Sequence, residues 1–263
     1  GTRKILSESY RLPISIHKKA NDLIRRVKTR VDKEWSARDE QGEINYYPSE
    51  QLNKLMQGEW LILARNKYNL DLLEEGLKLE GYYYQRNGST SVDAKAIRAI
   101  KAWEKIRKGG ELPLKEVKDF YYYLLVDKSV NRGHKTMQKA DREKMYNYDT
   151  LTKEHGLNVS NNFTWFEAFD SMPRLKSTYI RSVLRRGQKI THKPRIKMST
   201  IHGAKGGEAD NVMLLTDLSK KTDEAYWLNK DEERRVFYVG MTRAKQSLNI
   251  IRSKSNREFT EVF

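Results

Sequence analysis

Apolar positions along this chain follow two periods, and the switching between them outlines sheet and helix. After the turn around Pro13, Ile16, Ala20, Leu23, Ile24, Val27 and Val31 recur at helical spacing and predict an amphipathic helix. A polar stretch over 32–58 carries no such pattern. Trp60-Leu61-Ile62-Leu63-Ala64 is then a short continuous apolar run, the signature of a strand buried on both faces in a parallel sheet. Leu70, Leu73 and Leu77, with a break at Gly81, describe a helix, and Tyr82-Tyr83-Tyr84 a second strand. Strand, helix, strand is the rhythm of a βαβ unit.

From about Val92 the period becomes helical. Val92, Ala96, Ile97, Ile100, Trp103 and Ile106 form a stripe ending at Gly109-Gly110, and Val117, Phe120, Tyr121, Leu124 and Leu125 form another. Strands return at 196–201, 211–216 and 247–251, with a helix carrying Glu232 to Lys245 before the last. The expected organisation is α/β: a parallel-sheet domain over 1–91, a mostly helical insertion over 92–190, and completion of the first domain over 191–263.

At 263 residues and 38% hydrophobic content the chain can build real cores. It has no cysteine, which excludes disulfides, thiolate metal sites and a cysteine nucleophile, and its five histidines show no ligand spacing, so no metal site is expected. No apolar run reaches the roughly eighteen residues of a membrane span, and no secretory signal pattern opens the chain, so a cytoplasmic protein without a membrane partner is expected. The sequence opens at Gly1, as an excised fragment would. Lys and Arg exceed Asp and Glu by 51 to 35, a net charge of +16. Between Asp170 and Glu208 no acid occurs, while Arg174, Lys176, Arg181, Arg185, Arg186, Lys189, Lys193, Arg195, Lys197 and Lys205 are cationic. That segment reads as a face for phosphates, with Arg185, Arg186, Lys189 and Lys193 as candidate DNA contacts; a solvated basic surface is the alternative. Phe163, Trp165, Phe166 and Phe169, just before it, fit either base stacking or a helical core stripe.

Four blocks narrow the chemistry. Leu6-Ser7-Glu8-Ser9-Tyr10-Arg11 precedes the first helix. Trp60 to Asn66 leads into Leu73-Glu74-Glu75-Gly76-Leu77. Thr200-Ile201-His202-Gly203-Ala204-Lys205-Gly206-Gly207-Glu208 is a strand running into a glycine-rich turn, and Glu232-Glu233-Arg234-Arg235-Val236-Phe237-Tyr238-Val239-Gly240-Met241-Thr242-Arg243-Ala244 closes the set. In this order they resemble motifs IV, IVa, V and VI of UvrD/Rep/PcrA-type superfamily 1 DNA helicases. Glu8 and Leu12 depart from the family's first block, and Gly203 and Gly207 replace its serine and leucine in motif V. No G-x-x-x-x-G-K-[ST] loop occurs, so the phosphate cradle of that motor's first half is absent. An Asp231-Glu232 metal site would need an apolar strand before the acids, and Tyr226 to Lys230 supplies only a weak one.

The resemblance implies a RecA-like parallel sheet flanked by helices, the second motor domain (2A), split around a helical insertion (2B). It implies ATP and Mg2+, held mainly by an N-terminal RecA-like domain of the same protein, and single-stranded and junction DNA as partners. Arg243 on the motif VI helix and Arg11 would be catalytic, reaching the γ-phosphate, with Glu208 and Gly206 completing the nucleotide contacts. Thr200 and His202 would touch single-stranded DNA; Arg65 is a further candidate DNA contact from its place at the end of a buried strand, where α/β folds hold ligand contacts. Without that context a satisfied loop histidine fits His202, and a helix cap or ion pair fits Arg65. The function implied is the C-terminal half of an ATP-dependent helicase moving 3′ to 5′, inactive alone. The alternative is a non-catalytic single-stranded-DNA-binding module with a helicase-like fold.

Overall fold

The computed structural model describes residues 8–31, 35–138, 140–204 and 206–263. Leu6, Ser7 and Lys205, named above, lie outside the described residues. In chain order the elements are β1 (Glu8–Pro13), α1 (Ile14–Ile24), β2 (Ser36–Arg38), β3 (Glu43–Tyr47), β4 (Trp60–Ala64), α2 (Lys67–Leu79), β5 (Tyr84–Arg86), β6 (Ser89–Thr90), α3 (Ala94–Ile106), β7 (Leu112–Pro113), α4 (Leu114–Tyr121), β8 (Met145–Tyr146), α5 (Tyr148–Glu154), α6 (Trp165–Ala168), α7 (Arg174–Arg185), β9 (Ile196–Thr200), β10 (Ala209–Leu215), α8 (Lys220–Leu228), α9 (Lys230–Met241) and β11 (Ala244–Ile251). They divide into two compact units. The first takes in the described residues up to Leu77 with 84–88 and 194–263, and the second holds 78–83 and 89–193.

In the first unit the strands lie in the order β3-β11-β10-β4-β9-β5, and these five neighbouring pairs are parallel. Trp60 sits level with Asn211 and Ile196, and Ala64 with Thr200, so all strand starts share one edge and all strand ends the other. One face packs Leu61, Leu63, Val212, Leu214, Leu248 and Ile250 under α1 and α9, through Ile16, Ala20, Leu23, Phe237 and Met241. Phe237 stacks on Phe259 with ring centroids 4.1 Å apart. α2 lies on the other face, where Glu74 accepts a 2.6 Å bond from the Tyr84 hydroxyl and pairs with Arg86.

Three elements differ from the sequence pattern. α1 stops at Ile24; Val27 is buried in the turn beyond it and Val31 is 69% exposed, so the stripe outlasts the helix. The polar stretch holds β3, an edge strand whose Glu43, Asn45 and Tyr46 show no apolar run because the edge is only half covered. Tyr82 and Tyr83 precede β5; Gly81, at φ +70°, turns the chain there, and a Cβ on it would stand 2.7 Å from Ser182 Cβ.

The second unit is mostly helical. α3 and α4 pack Ala99, Trp103, Val117, Phe120 and Tyr121 into one core with Trp165, Phe169, Ile180 and Val183. Asp93 caps α3 by accepting from the Ala96 amide at 2.9 Å, and Trp103 donates to the Phe163 carbonyl at 2.9 Å. Of the four aromatics before the basic segment, Trp165 and Phe169 are core and Phe163 is 45% exposed. Among the described residues no helix is long and apolar enough to cross a membrane.

Leu214 is fully buried in β10, 3.1 Å from where a Cβ on Gly240 would stand. Leu214→Ala is expected to cost about 2–5 kcal/mol through lost burial and a residual cavity, read as a lower urea midpoint.

Candidate functional site

Because the strands are parallel, residues placed just before β10 and β11 meet at the starting edge of the sheet. There Glu208 is clasped by two cations: Lys245 Nζ lies 2.7 Å from Oε1 and Arg11 Nη1 3.5 Å from Oε2. Arg11 comes from β1, whose parallel partner β2 sends Arg38 to the Lys245 carbonyl. Arg243 joins them. Its Nε donates to the Val239 carbonyl at 3.1 Å and its Nη1 to the Gly207 carbonyl at 3.5 Å. Burial, then the like charge of Arg11, pulls the Arg243 guanidinium below its ordinary pKa. The hydrogen bond from Lys245 holds the Glu208 carboxyl below the usual range, helped by the charge of Arg11. Both predicted arginines therefore stand at one edge of one sheet, beside a carboxylate.

Arg243 is not on the helix, however. α9 ends at Met241, Thr242 is its C-cap, and Arg243 leads directly into β11. The motif VI helix therefore does not itself carry this side chain; the cap and the strand start aim it. Arg235 instead donates to the Thr29 carbonyl and hydroxyl.

Thr200, His202 and Arg65 lie at the opposite edge, where β9 and β4 end. Thr200 Oγ1 accepts from the Gly203 amide at 3.1 Å, closing the turn, and a Cβ on Gly203 would stand 2.7 Å from Ser199 Oγ. His202 is exposed; Gly206, at φ +81°, has open space around it. Beside this turn a cavity of about 430 Å3 is lined by Thr200, Gly203, Lys67, Lys197, Arg86 and Gln85. Of the roles open to Arg65, the ion pair forms: Nε and Nη2 donate to Glu233 at 2.7 and 2.8 Å, and Glu233 is 4% exposed. α9 thus starts anchored at one edge and delivers Arg243 to the other. Arg234 on the same helix is structural too, held by Glu261 and Asp231. The segment before Asp231 is helix α8 rather than a strand.

In the second unit, Arg185, Lys189 and Lys193 are exposed on and after α7. Arg186 is engaged, donating to Glu80 and lying 4.5 Å over the Tyr82 ring.

The sequence reading missed Lys245 and Glu233. Lys245 follows the motif VI block, where only its closeness to Glu208 in space marks it. Glu233 was legible as an acid in a charged run, but not as the partner of a residue far earlier in the chain.

A parallel sheet flanked by helices, with a glycine-rich turn after one strand and an arginine at the start of the last, defines a RecA-like domain of the helicase type. The family of UvrD-like helicase C-terminal domains matches residues 99–255, more than half of the chain, and the chain belongs to that family. The chain is similar to the probable DNA helicase II homolog of Rickettsia conorii, 37% identical over 73 residues, which are 26% of this chain and 11% of that protein. It is similar over the same extents to the DNA helicase II of Rickettsia typhi, also at 37% identity. The match thus spans 11% of the length of those curated relatives.

Two predictions follow from this geometry. Glu208 is expected to titrate below an ordinary glutamate in carboxyl-carbon NMR, and Lys245→Ala to move its midpoint upward. Since the folded pKa is depressed, the stabilisation it provides is present above the unfolded value and is lost as pH falls through the folded one. Separately, Arg65→Ala strands the buried Glu233 carboxylate and is expected to cost about 3 kcal/mol in urea unfolding, whereas Glu232→Ala should cost under about 0.5.

Proposed function

We propose that this chain is the second motor domain, 2A with its 2B insertion, of an ATP-dependent DNA helicase translocating 3′ to 5′ on single-stranded DNA. An N-terminal RecA-like domain of the same protein completes it and holds Mg2+. The observation that carries this reading is the meeting of Arg11 and Arg243 beside Glu208. Two guanidinium groups gathered at one edge beside Glu208 suit the charge of a triphosphate delivered from a facing domain.

In this mechanism ATP, the substrate, brings the γ-phosphate to the starting edge. Arg11 exchanges Glu208 for phosphate oxygens, and Arg243 stabilises charge on the transferring phosphoryl group. Glu208, released, turns to the nucleotide sugar beside Gly206. Thr200 and His202, at the other edge, grip the strand with Lys67 and Lys197 alongside. Closure and opening of the nucleotide cleft shift that grip along the DNA. Arg185, Lys189 and Lys193 in the insertion hold phosphates of the duplex or junction; Arg186 and Arg65 shape the protein instead.

Arg243→Ala in the full-length protein is expected to lower DNA-stimulated ATPase roughly a thousandfold or more, the scale of an arginine finger. Appreciable ATPase from residues 1–263 alone would contradict the reading. Affinity for oligo-thymidylate should fall linearly in log-log against salt, with a slope reduced by about one for each contacting cation removed. Salt-dependent DNA binding in a full-length protein without ATPase would mark the non-catalytic module instead.

A further inference from the structure

The ending edge of the first unit's sheet contains a crevice that the helicase reading does not use. α2 leaves β4 toward β9 and β5, whereas α8 and α9 leave β10 toward β11, so the winding reverses between β10 and β4. Parallel α/β sheets open a ligand crevice outside the strand ends at such a switch point. Here it is a cavity of about 750 Å3, within the range of small-molecule sites.

Its chemistry has two parts. Leu73, Leu215 and Leu218 are buried and form an apolar floor, and Tyr68 and Leu72 on α2 stand beside it, 67% and 53% exposed. Lys220, Lys254 and Arg257 supply the charge. Of the two lining acids, Asp217 accepts from Ser253 Oγ at 2.6 Å, and Glu50 pairs with Lys254 at 2.9 Å, so a phosphate reaching Lys254 displaces Glu50; Lys220 lies 4.0 Å from Glu224 at the exposed rim. Two buried donors that line the cavity, Asn69 Nδ2 and Arg257 Nε, have no partner among the described residues. Buried donors are normally satisfied, which makes these candidates for a ligand's acceptors. The α2 and α8 N-termini open nearby, but Asn66 and Ser219 cap them by accepting from the Asn69 and Thr222 amides, so the anion falls to the side-chain cations.

We propose that this crevice binds a nucleoside phosphate, its base against Tyr68 and Leu72, its edge accepting from Asn69, and its phosphates on Lys220, Lys254 and Arg257. A flat body with an anionic tail matches an apolar wall beside a cationic rim, and an exposed tyrosine is a ready stacking platform. The site is separate from the Glu208 cluster, which lies at the other edge, and does not depend on the helicase reading.

The test is saturable photolabelling of the chain by 8-azido-ADP, with peptide mapping of the label. Label is expected on the α2 segment or on 217–220. Capture should weaken roughly tenfold in Tyr68→Ala, the loss of one base stack, and similarly in Lys220→Glu/Lys254→Glu, with circular dichroism unchanged because these side chains are exposed. Arg11→Ala and Arg243→Ala should leave this labelling intact, whether or not they alter helicase activity. Label confined to 207–211 or 243–245, or no saturable label, would overturn the proposal. So would label on α2 that oligo-thymidylate displaces and unlabelled ADP does not, since the occupant would then be a DNA strand.

Discussion

Parallel hydrogen bonding between β4, β9, β10 and β11 imposes one direction on every strand of the central sheet, and the chemistry of the first unit follows from that direction. A parallel ladder cannot close through a tight hairpin, so each strand must be followed by a crossover that returns the chain to the starting edge. Whatever precedes a strand is delivered to one edge, and whatever follows a strand to the other. Glu208 and Arg243, which precede β10 and β11, become neighbours although they are far apart in sequence. Thr200 and Arg65, which follow β9 and β4, are carried to the far side.

Helix α9 couples the two edges. Its first turn is fixed by Glu233 to Arg65 at the end of β4, its middle is buried through Phe237, and its last turn opens into Arg243. The ion pair is nearly dry on the Glu233 side, so losing Arg65 would leave a carboxylate that water barely reaches. Its role is to hold the register of the helix, and through the helix the position of the arginine. A charge network and a packed face thereby position a side chain that neither of them touches.

Around Glu208 the cations outnumber the acid. Arg11, Lys245 and Arg243 gather within reach of a single carboxylate, and the burial of Arg243 beside Arg11 raises the cost of keeping both charged. Such an arrangement favours an incoming anion, because an added negative charge relieves repulsion as well as making new hydrogen bonds. The crevice at the other edge follows the same logic with different parts, apolar leucines and an exposed tyrosine beside a rim of lysines and an arginine.

The strands β4, β9, β10 and β11 and the helices α2, α3, α4 and α9 could be read from the chain, because burial on both sheet faces or along one helix face leaves an unbroken or periodic apolar record. The motif blocks, Arg11 and Arg243 among them, were equally legible. Other features left no local record. β3 is an edge strand with polar side chains, and α1 ends before its apolar stripe does. Tertiary structure alone decided that Arg243 leaves its helix, that Arg65 is held by Glu233, and that Lys245 stands against Glu208. Each of these depends on which strands lie side by side, and sheet order is set by packing across the whole unit rather than by any short run of residues.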